Sequence, residues 1–111
     1  MPKLIYLASP YSHDDSDVRE RRFNEVCRVA AKLMKGGEFV YSPIAHTHPI
    51  AQFGLPGDWS YWEVFDTLML SKCDRMFVLM IDGWFESKGV QAEIRIAEKR
   101  GIPIKYIKEL F

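Results

Sequence analysis

The sequence contains little cysteine: two residues among 111, with no CxxC pair and no histidine-rich zinc pattern around them. Cys27 and Cys73 both fall on predicted helices among apolar neighbours, and such cysteines are usually free thiols packed in a core. We therefore expect no disulfide and no metal centre, as is typical of a protein in the reducing cytosol.

The sequence also lacks an excess of charge and a long apolar run. Fifteen basic and fifteen acidic residues give a formal net charge of zero, which disfavours a polyanion-binding surface and hence a nucleic-acid partner. The apolar segment 1–8 is too short for a signal peptide, and no stretch is long enough to span a bilayer. These absences predict a soluble, cytoplasmic protein without a membrane partner.

Two common nucleotide signatures are missing as well. No G-x-G-x-x-G follows the first predicted strand, and the chain contains no Walker loop. Chemistry that depends on NAD or ATP is therefore disfavoured. We expect the protein to work without a cofactor.

Apolar runs and helical stripes alternate along the chain. The pattern predicts strands at 3–8, 39–41, 76–81 and 103–107, helices at about 14–36, 58–73 and 90–100, and a turn-rich loop over about 44–57. Such βαβαβαβ alternation is typical of a parallel sheet with helices on both faces, joined by right-handed crossovers. We therefore predict one domain over 1–111 of the α/β class, a flavodoxin/Rossmann-like three-layer αβα domain with a mainly parallel four-stranded sheet.

Glu93 is the first candidate for a catalytic group. It falls in the first turn of the predicted helix after the third strand, at the edge of an α/β sheet where ligands bind. A lone Glu there would simply complement the helix dipole. Glu93 also shares a stripe with Val90, Ile94 and Ala97, which predicts that it leans toward the buried face.

Asp66 is the second candidate. It lies within the apolar second predicted helix, near Phe65 and Leu68, where a surface design would not place Asp. The competing interpretation is a helix acid on the solvent side of a boundary position.

Two loops with hydroxyl groups and glycine are predicted at the same sheet edge as these acids. Ser9 and Tyr11 follow the first strand, and Ser87 and Gly89 follow the third. Because the carboxyl ends of parallel strands open on one edge, these loops can cradle a small polar or phosphorylated ligand.

Three short motifs in these segments are recognisable. Residues 6–11 read Tyr-Leu-Ala-Ser-Pro-Tyr; Asp66 is followed after seven residues by Asp74 and an apolar strand; and Ser87-x-Gly89-x-x-x-Glu93 precedes Ala97, Gly101 and Pro103. Together they resemble the nucleoside 2-deoxyribosyltransferase superfamily over roughly 4–107, except that Ser9 stands where that superfamily usually has glycine. The serine form of the last motif is similar to the deoxynucleoside 5′-monophosphate N-glycosidase branch. The chain is closer still to small uncharacterised bacterial and phage proteins with Gly83-Trp84 before the Ser87 loop, for which no activity is implied.

The resemblance implies a role for each candidate. Glu93 would be the nucleophile on the anomeric carbon, and Asp66 an acid or orienting group. Ser87, with the backbone N–H groups near Gly89, would hold a 5′-phosphate or 5′-hydroxyl, whereas Ser9 and Tyr11 would line the sugar and base pocket. It also implies a homo-oligomer (a dimer or higher), for which we hypothesise a contact through the helix that contains Trp59 and Trp62.

The chain offers further aromatic and imidazole groups for such a pocket. His46-x-His48 has no evident third metal ligand, so we interpret both as loop histidines, with His48 able to reach the pocket. Trp84, in the loop after the third strand, is the best candidate for stacking on a base. Trp59 and Trp62, at helical spacing, are more typical of a core.

Three hypotheses follow. The first is an enzyme that cleaves the N-glycosidic bond of a small-molecule (deoxy)nucleoside or its 5′-monophosphate, or that transfers the deoxyribosyl group to a second base. The second is a module that binds a nucleotide or ADP-ribose-like ligand without turnover. The third is a non-catalytic interaction protein whose aromatic surface serves assembly.

Overall fold

The computed structural model describes residues 2–108, in which a four-stranded parallel sheet lies between two layers of helices. The predicted α/β three-layer class is confirmed. The elements in chain order are β1 (Leu4–Ala8), α1 (Ser16–Lys35), β2 (Phe39–Tyr41), α2 (Pro43–Ala51), α3 (Trp59–Ser71), β3 (Arg75–Leu79), α4 (Lys88–Arg100) and β4 (Ile104–Ile107).

The sheet has the strand order β2-β1-β3-β4, and every neighbouring pair is parallel. Tyr6 at the centre of β1 pairs with Tyr41 of β2 on one side and Met76 of β3 on the other. The chain therefore leaves β1 in one direction to form β2 and returns past it to form β3. A crevice at the carboxyl ends of β1 and β3 follows from this reversal, and such switch points bind ligands in open α/β sheets.

The strands bury alternate residues in two separate cores, as the two-residue period of a strand requires. From β1, Ile5 and Leu7 pack with α1, whereas Tyr6 and Ala8 pack with α3 and α4. Both faces of the central strands are consequently covered, which explains why β1 and β3 read as continuous apolar runs rather than as alternating ones.

The prediction of a turn-rich loop over 44–57 is wrong for its first half, which forms α2. Ser42 caps this helix by accepting from the Ala45 N–H (3.0 Å), and Pro43 occupies the first turn, where a missing N–H costs nothing. Thr47 donates its hydroxyl to the Pro43 carbonyl at 2.7 Å. Pro49 lies inside this helix, and His48, which was predicted in a loop, is a helical residue.

The second predicted helix is present as α3, with two differences. It ends at Ser71, so Cys73 lies beyond it, buried and free, while Cys27 is a half-buried free thiol on α1. Asp58 precedes the helix, but its carboxylate accepts from the Ser60 hydroxyl and caps no backbone N–H. Within residues 2–108 no helix combines the length and apolar character needed to cross a bilayer.

Two glycines end helices in different conformations, and this difference predicts different tolerance to a side chain. Gly101 ends α4 with φ 73°, in the left-handed region, whereas Gly36 ends α1 with φ −81°. Gly101→Ala should lower the free energy of unfolding by about 1 kcal/mol, because L-residues are strained in that region. Gly36→Ala serves as the matched control and should change it by less than about 0.5 kcal/mol.

Urea denaturation midpoints of the two variants check this prediction. An equal loss of stability in both variants, or none in Gly101→Ala, would show that the left-handed conformation does not determine the cost.

Candidate active site

A cavity of about 640 Å³ opens at the carboxyl edge of the sheet. Its wall is formed by the loop after β1, by α2 and α3, and by the segment that begins α4. All the predicted site residues except Trp84 line it: Ser9, Tyr11, His48, Asp66, Ser87, Gly89 and Glu93. The sheet topology therefore brings together residues that are widely separated in the sequence.

Glu93 is buried, with 4% of its surface exposed, on the side of α4 that faces the sheet. Its expected neighbours Val90, Ile94 and Ala97 are buried with it, as the stripe predicts. The helix begins at Lys88, however, so Glu93 lies in the second turn rather than the first. The free N–H groups at the N-terminus of α4 lie in the turn before Glu93, so an interaction with the helix dipole does not by itself account for this residue.

Tyr6 is a partner of Glu93 that the sequence analysis did not identify as a site residue. Its hydroxyl, on the fully buried side chain at the centre of β1, donates to Glu93 Oε2. A buried tyrosine hydroxyl usually has a hydrogen-bond partner, and this requirement, together with the place of Tyr6 at the start of the 6–11 motif, is the signal in the sequence that points to it. The interaction joins the central strand to α4 and fixes one carboxylate oxygen.

Asp66 is buried on α3, with 7% of its surface exposed, so the interpretation as a solvent-facing helix acid is wrong. Its Oδ1 atom has no hydrogen-bond partner in the described part of the chain, and neither does the buried Ser9 Oγ. Buried polar atoms are normally satisfied. Both residues line the cavity, and both of these atoms are buried without a partner in the described residues.

The two carboxyl groups influence each other and have perturbed pKa values. Burial raises the pKa of Asp66 to about 7. Burial also raises the pKa of Glu93 to about 8; the Tyr6 hydrogen bond opposes this shift, and the charge of Asp66 adds to it. No ion pair in residues 2–108 involves either acid. Such a pair holds a proton near neutral pH, as acid–base chemistry requires.

The wall at the start of α4 suits an anionic group. Ser87 caps the helix by accepting from the Val90 N–H at 3.2 Å, which leaves its own O–H free to donate into the cavity. Lys88 and Arg19 also line the cavity. A Cβ at Gly89, in the first turn of α4, would lie 3.4 Å from the Trp59 ring, which is an ordinary van der Waals contact.

The tryptophans are placed differently from what the sequence suggested. Trp84 is absent from the cavity wall formed by the described residues, because its ring packs against Phe85 (5.4 Å between centroids) and Tyr106 (5.8 Å). Trp59 and Trp62, which were interpreted as core residues, line the cavity instead. Trp62 donates its indole N–H to the Pro56 carbonyl at 2.8 Å, which fixes the ring at the rim.

The two histidines of the His-x-His segment diverge. Positions two apart on a helix face different directions, and His48 lines the cavity whereas His46 contacts the Tyr41 hydroxyl at 3.4 Å. No group of three potential metal ligands occurs among His, Cys, Asp and Glu of the described chain. The helical geometry of α2 therefore does not bring His46 and His48 together as ligands of one metal.

The buried acids predict a stability that decreases as pH rises. Their pKa values in the native protein, about 7 for Asp66 and about 8 for Glu93, lie above the ordinary values of 3.8 and 4.5. Between about pH 4 and 8 the native state therefore holds protons that the unfolded state has released, so this stabilisation is complete below pH 4 and lost by pH 8. The free energy of unfolding should decrease by at least about 1.4 kcal/mol from pH 5 to pH 8, the equivalent of one pKa unit.

Urea denaturation at both pH values, on the native protein and on the Asp66→Asn/Glu93→Gln double variant, measures this dependence. The double variant should lose most of it. The same pH dependence in both proteins would assign it to other groups.

Comparison with known proteins gives a family but no activity. A search of curated proteins found no matching relative. A family model matches residues 3–109, nearly the whole chain, including both acids and the loops after β1 and β3. The chain therefore belongs to the family described as a domain of unknown function, DUF1937.

Proposed function

We propose that this chain cleaves the N-glycosidic bond of a (deoxy)nucleoside or its 5′-monophosphate, with Glu93 as the nucleophile. The observation that supports this proposal most is the pair of buried carboxyl groups, Asp66 and Glu93, on the wall of an open cavity. Breaking an N-glycosidic bond passes through an oxocarbenium-like state, which a carboxylate can stabilise or trap and an acid can assist by protonating the departing base.

The hydrogen bonds of the two acids differ, and this suggests how they divide the work. Tyr6 donates to Glu93, which opposes the effect of burial on the pKa of that residue and holds one of its two oxygens in place. Asp66 has an oxygen without a partner in the described residues, so it can hold a proton or accept a sugar hydroxyl. In the proposed step, an oxygen of ionised Glu93 bonds to the anomeric carbon as the carbon–nitrogen bond breaks; the electron pair stays on the base, which takes a proton from an acid of the cavity wall. Water then hydrolyses the glycosyl ester and restores the Glu93 carboxylate.

The rest of the cavity is consistent with a nucleotide. Its volume of about 640 Å³ lies within the range of small-molecule sites. Ser87, Gly89 and Lys88 offer hydroxyl, backbone and cationic groups suited to a 5′-phosphate. The motif resemblance to nucleoside 2-deoxyribosyltransferases, and in Ser87 to the 5′-monophosphate N-glycosidases, points the same way and favours water over a second base as the acceptor.

Assembly is a separate part of the proposal. The resemblance implies a homo-oligomer, and the suggested contact through Trp59 and Trp62 is less suitable because both line the cavity. The exposed side of α3 instead presents Tyr61, Val64 and Leu68. A dimer is therefore proposed through this side, and a monomeric mass in light scattering would rule it out.

The proposed reaction predicts that Glu93→Gln lowers the rate of base release at least about 10²-fold, as expected when a positioned catalytic group is lost. Asp66→Asn should lower it as well, because the remaining acid must then act alone. Glu98→Gln, an exposed change on the same helix and outside the cavity wall, is the matched control and should leave the rate unchanged.

The measurement is chromatography of free base after incubation with a panel of ribo- and deoxynucleosides and their 5′-monophosphates. Base release that is equal in the native protein and Glu93→Gln would contradict the mechanism. Saturable binding with every ligand recovered intact, also in the presence of a second base as acceptor, would instead support the non-catalytic binding module.

A further inference from the structure

Three side chains from separate parts of the chain form a hydrogen-bonded line that ends at the cavity. The Tyr11 hydroxyl lies 2.6 Å from His48 Nδ1, and His48 Nε2 lies 2.9 Å from Glu20 Oε1. The imidazole is buried and stacks on the Phe23 ring at 4.3 Å between centroids. The ring is thus held in one orientation with both nitrogens engaged.

The acceptor at the outer end determines how protons are arranged along this line. An ionised Glu20 only accepts hydrogen bonds, so His48 Nε2 is the donor to it. In the neutral imidazole, Nδ1 then accepts from the Tyr11 hydroxyl. In the imidazolium, Nδ1 donates to the Tyr11 oxygen and leaves the Tyr11 O–H free to donate into the cavity.

The line and the two acids lie on different sides of the cavity. Tyr11 and His48 line it from the loop after β1 and from α2, which packs against α1. Asp66 and Glu93 line it from α3 and α4, which pack on the other face of the sheet. A nucleoside whose anomeric carbon faces Glu93 therefore has room to direct its base toward Tyr11.

We infer that Tyr11 is the acid that protonates the departing base, with His48 and Glu20 as positioning residues that resupply its proton. This inference rests on the proposed function and leaves Asp66 as the orienting group. As the carbon–nitrogen bond breaks, its electron pair stays on the base and the Tyr11 proton moves to the base. The Nδ1 proton of the His48 imidazolium moves to the Tyr11 oxygen, which leaves a neutral imidazole, and the anomeric carbon bonds to ionised Glu93.

The surroundings of Tyr11 suit a donor that stays protonated at rest. Burial raises the pKa of its hydroxyl, while Arg19 and Gln52 oppose the shift and the Glu20 charge adds to it. Gln52 is itself fixed by donating to the His48 carbonyl at 2.8 Å, and Arg19 donates to the His13 carbonyl.

A substrate pair that differs only in its need for a proton tests the inference. The guanine of 2′-deoxyguanosine 5′-monophosphate must be protonated to leave as a neutral base, whereas the cationic 7-methylguanine of the methylated nucleotide leaves neutral without a proton. Tyr11→Phe should slow release from the unmodified nucleotide by about 10²-fold, the usual contribution of a general acid. Release from the methylated nucleotide should change less than about threefold, a small fraction of that contribution.

Two kinds of control separate the acid role from a structural one. Tyr106→Phe, on β4 and outside the cavity wall, is the matched tyrosine control and should leave both rates unchanged. Glu20→Gln, on a carboxylate with 58% of its side chain exposed, should fold normally and slow only the unmodified nucleotide, by about tenfold, because His48 Nε2 then donates to a neutral rather than a charged acceptor. The Glu20→Gln variant still tests the inference if Tyr11→Phe proves unstable. If the protein accepts pyrimidines, the same comparison is made with the deoxynucleotides of uracil and of 5-fluorouracil, which is the better leaving group.

The possible outcomes distinguish this inference from the proposed function. Equal losses on both members of a pair, or no loss in Tyr11→Phe and Glu20→Gln, would overturn the acid role while Glu93→Gln still abolishes turnover. If the native protein releases no base from any of these substrates, the proposed function fails and the acid role fails with it.

Discussion

The burial of two carboxyl groups without a cationic partner in the described chain is the constraint on which the rest of the structure depends. Removing an ionised acid from water is strongly unfavourable unless it is paired or neutralised. Asp66 and Glu93 meet this constraint with raised pKa values and with one hydroxyl donor, Tyr6. Apolar groups at these positions would avoid this cost, and buried acids with perturbed pKa values beside a cavity are a common feature of functional sites.

The sheet topology explains how the acids reach this position. Because β2 is added on one side of β1 and β3 on the other, the loops after β1 and β3 meet at one crevice. Helices α3 and α4 pack side by side over one face of the sheet. Tyr6 extends from the centre of β1 to the same face. The opposite wall is built from α2 and the loop after β1, which bring Tyr11 and His48 to the cavity. One side thus supplies carboxyl groups and the other a phenol–imidazole pair.

The sequence was most informative where the physical signal is local. The apolar runs of β1 and β3 predicted buried parallel strands, and the stripe shared by Val90, Ile94 and Ala97 predicted the burial of Glu93. Helix α2 was missed because Pro43 and Pro49 are ordinarily turn signals, and only the Ser42 cap and the contacts with α1 make a helix favourable there.

The parts of the site that the sequence could not predict depend on distant partners. Tyr6 and Glu93 are 87 positions apart, so nothing near Tyr6 in the chain identifies the acceptor of its hydroxyl. The same holds for His48 and Glu20, 28 positions apart. The places of the tryptophans could not be predicted, because helical spacing does not reveal which side of α3 faces a cavity and because the packing of Trp84 against Tyr106 depends on a contact with β4.

The most direct test of the central claim is to trap the bond to Glu93. A 2′-fluoroarabinosyl nucleoside 5′-monophosphate destabilises the oxocarbenium-like state and slows breakdown of a glycosyl–enzyme intermediate. Mass spectrometry of the intact protein and of its proteolytic peptides then locates any adduct. The account predicts one added glycosyl phosphate on the peptide that contains Glu93, with free base released in equal amount. Release of base with the adduct on another residue, or with no adduct at all, would contradict Glu93 as the nucleophile.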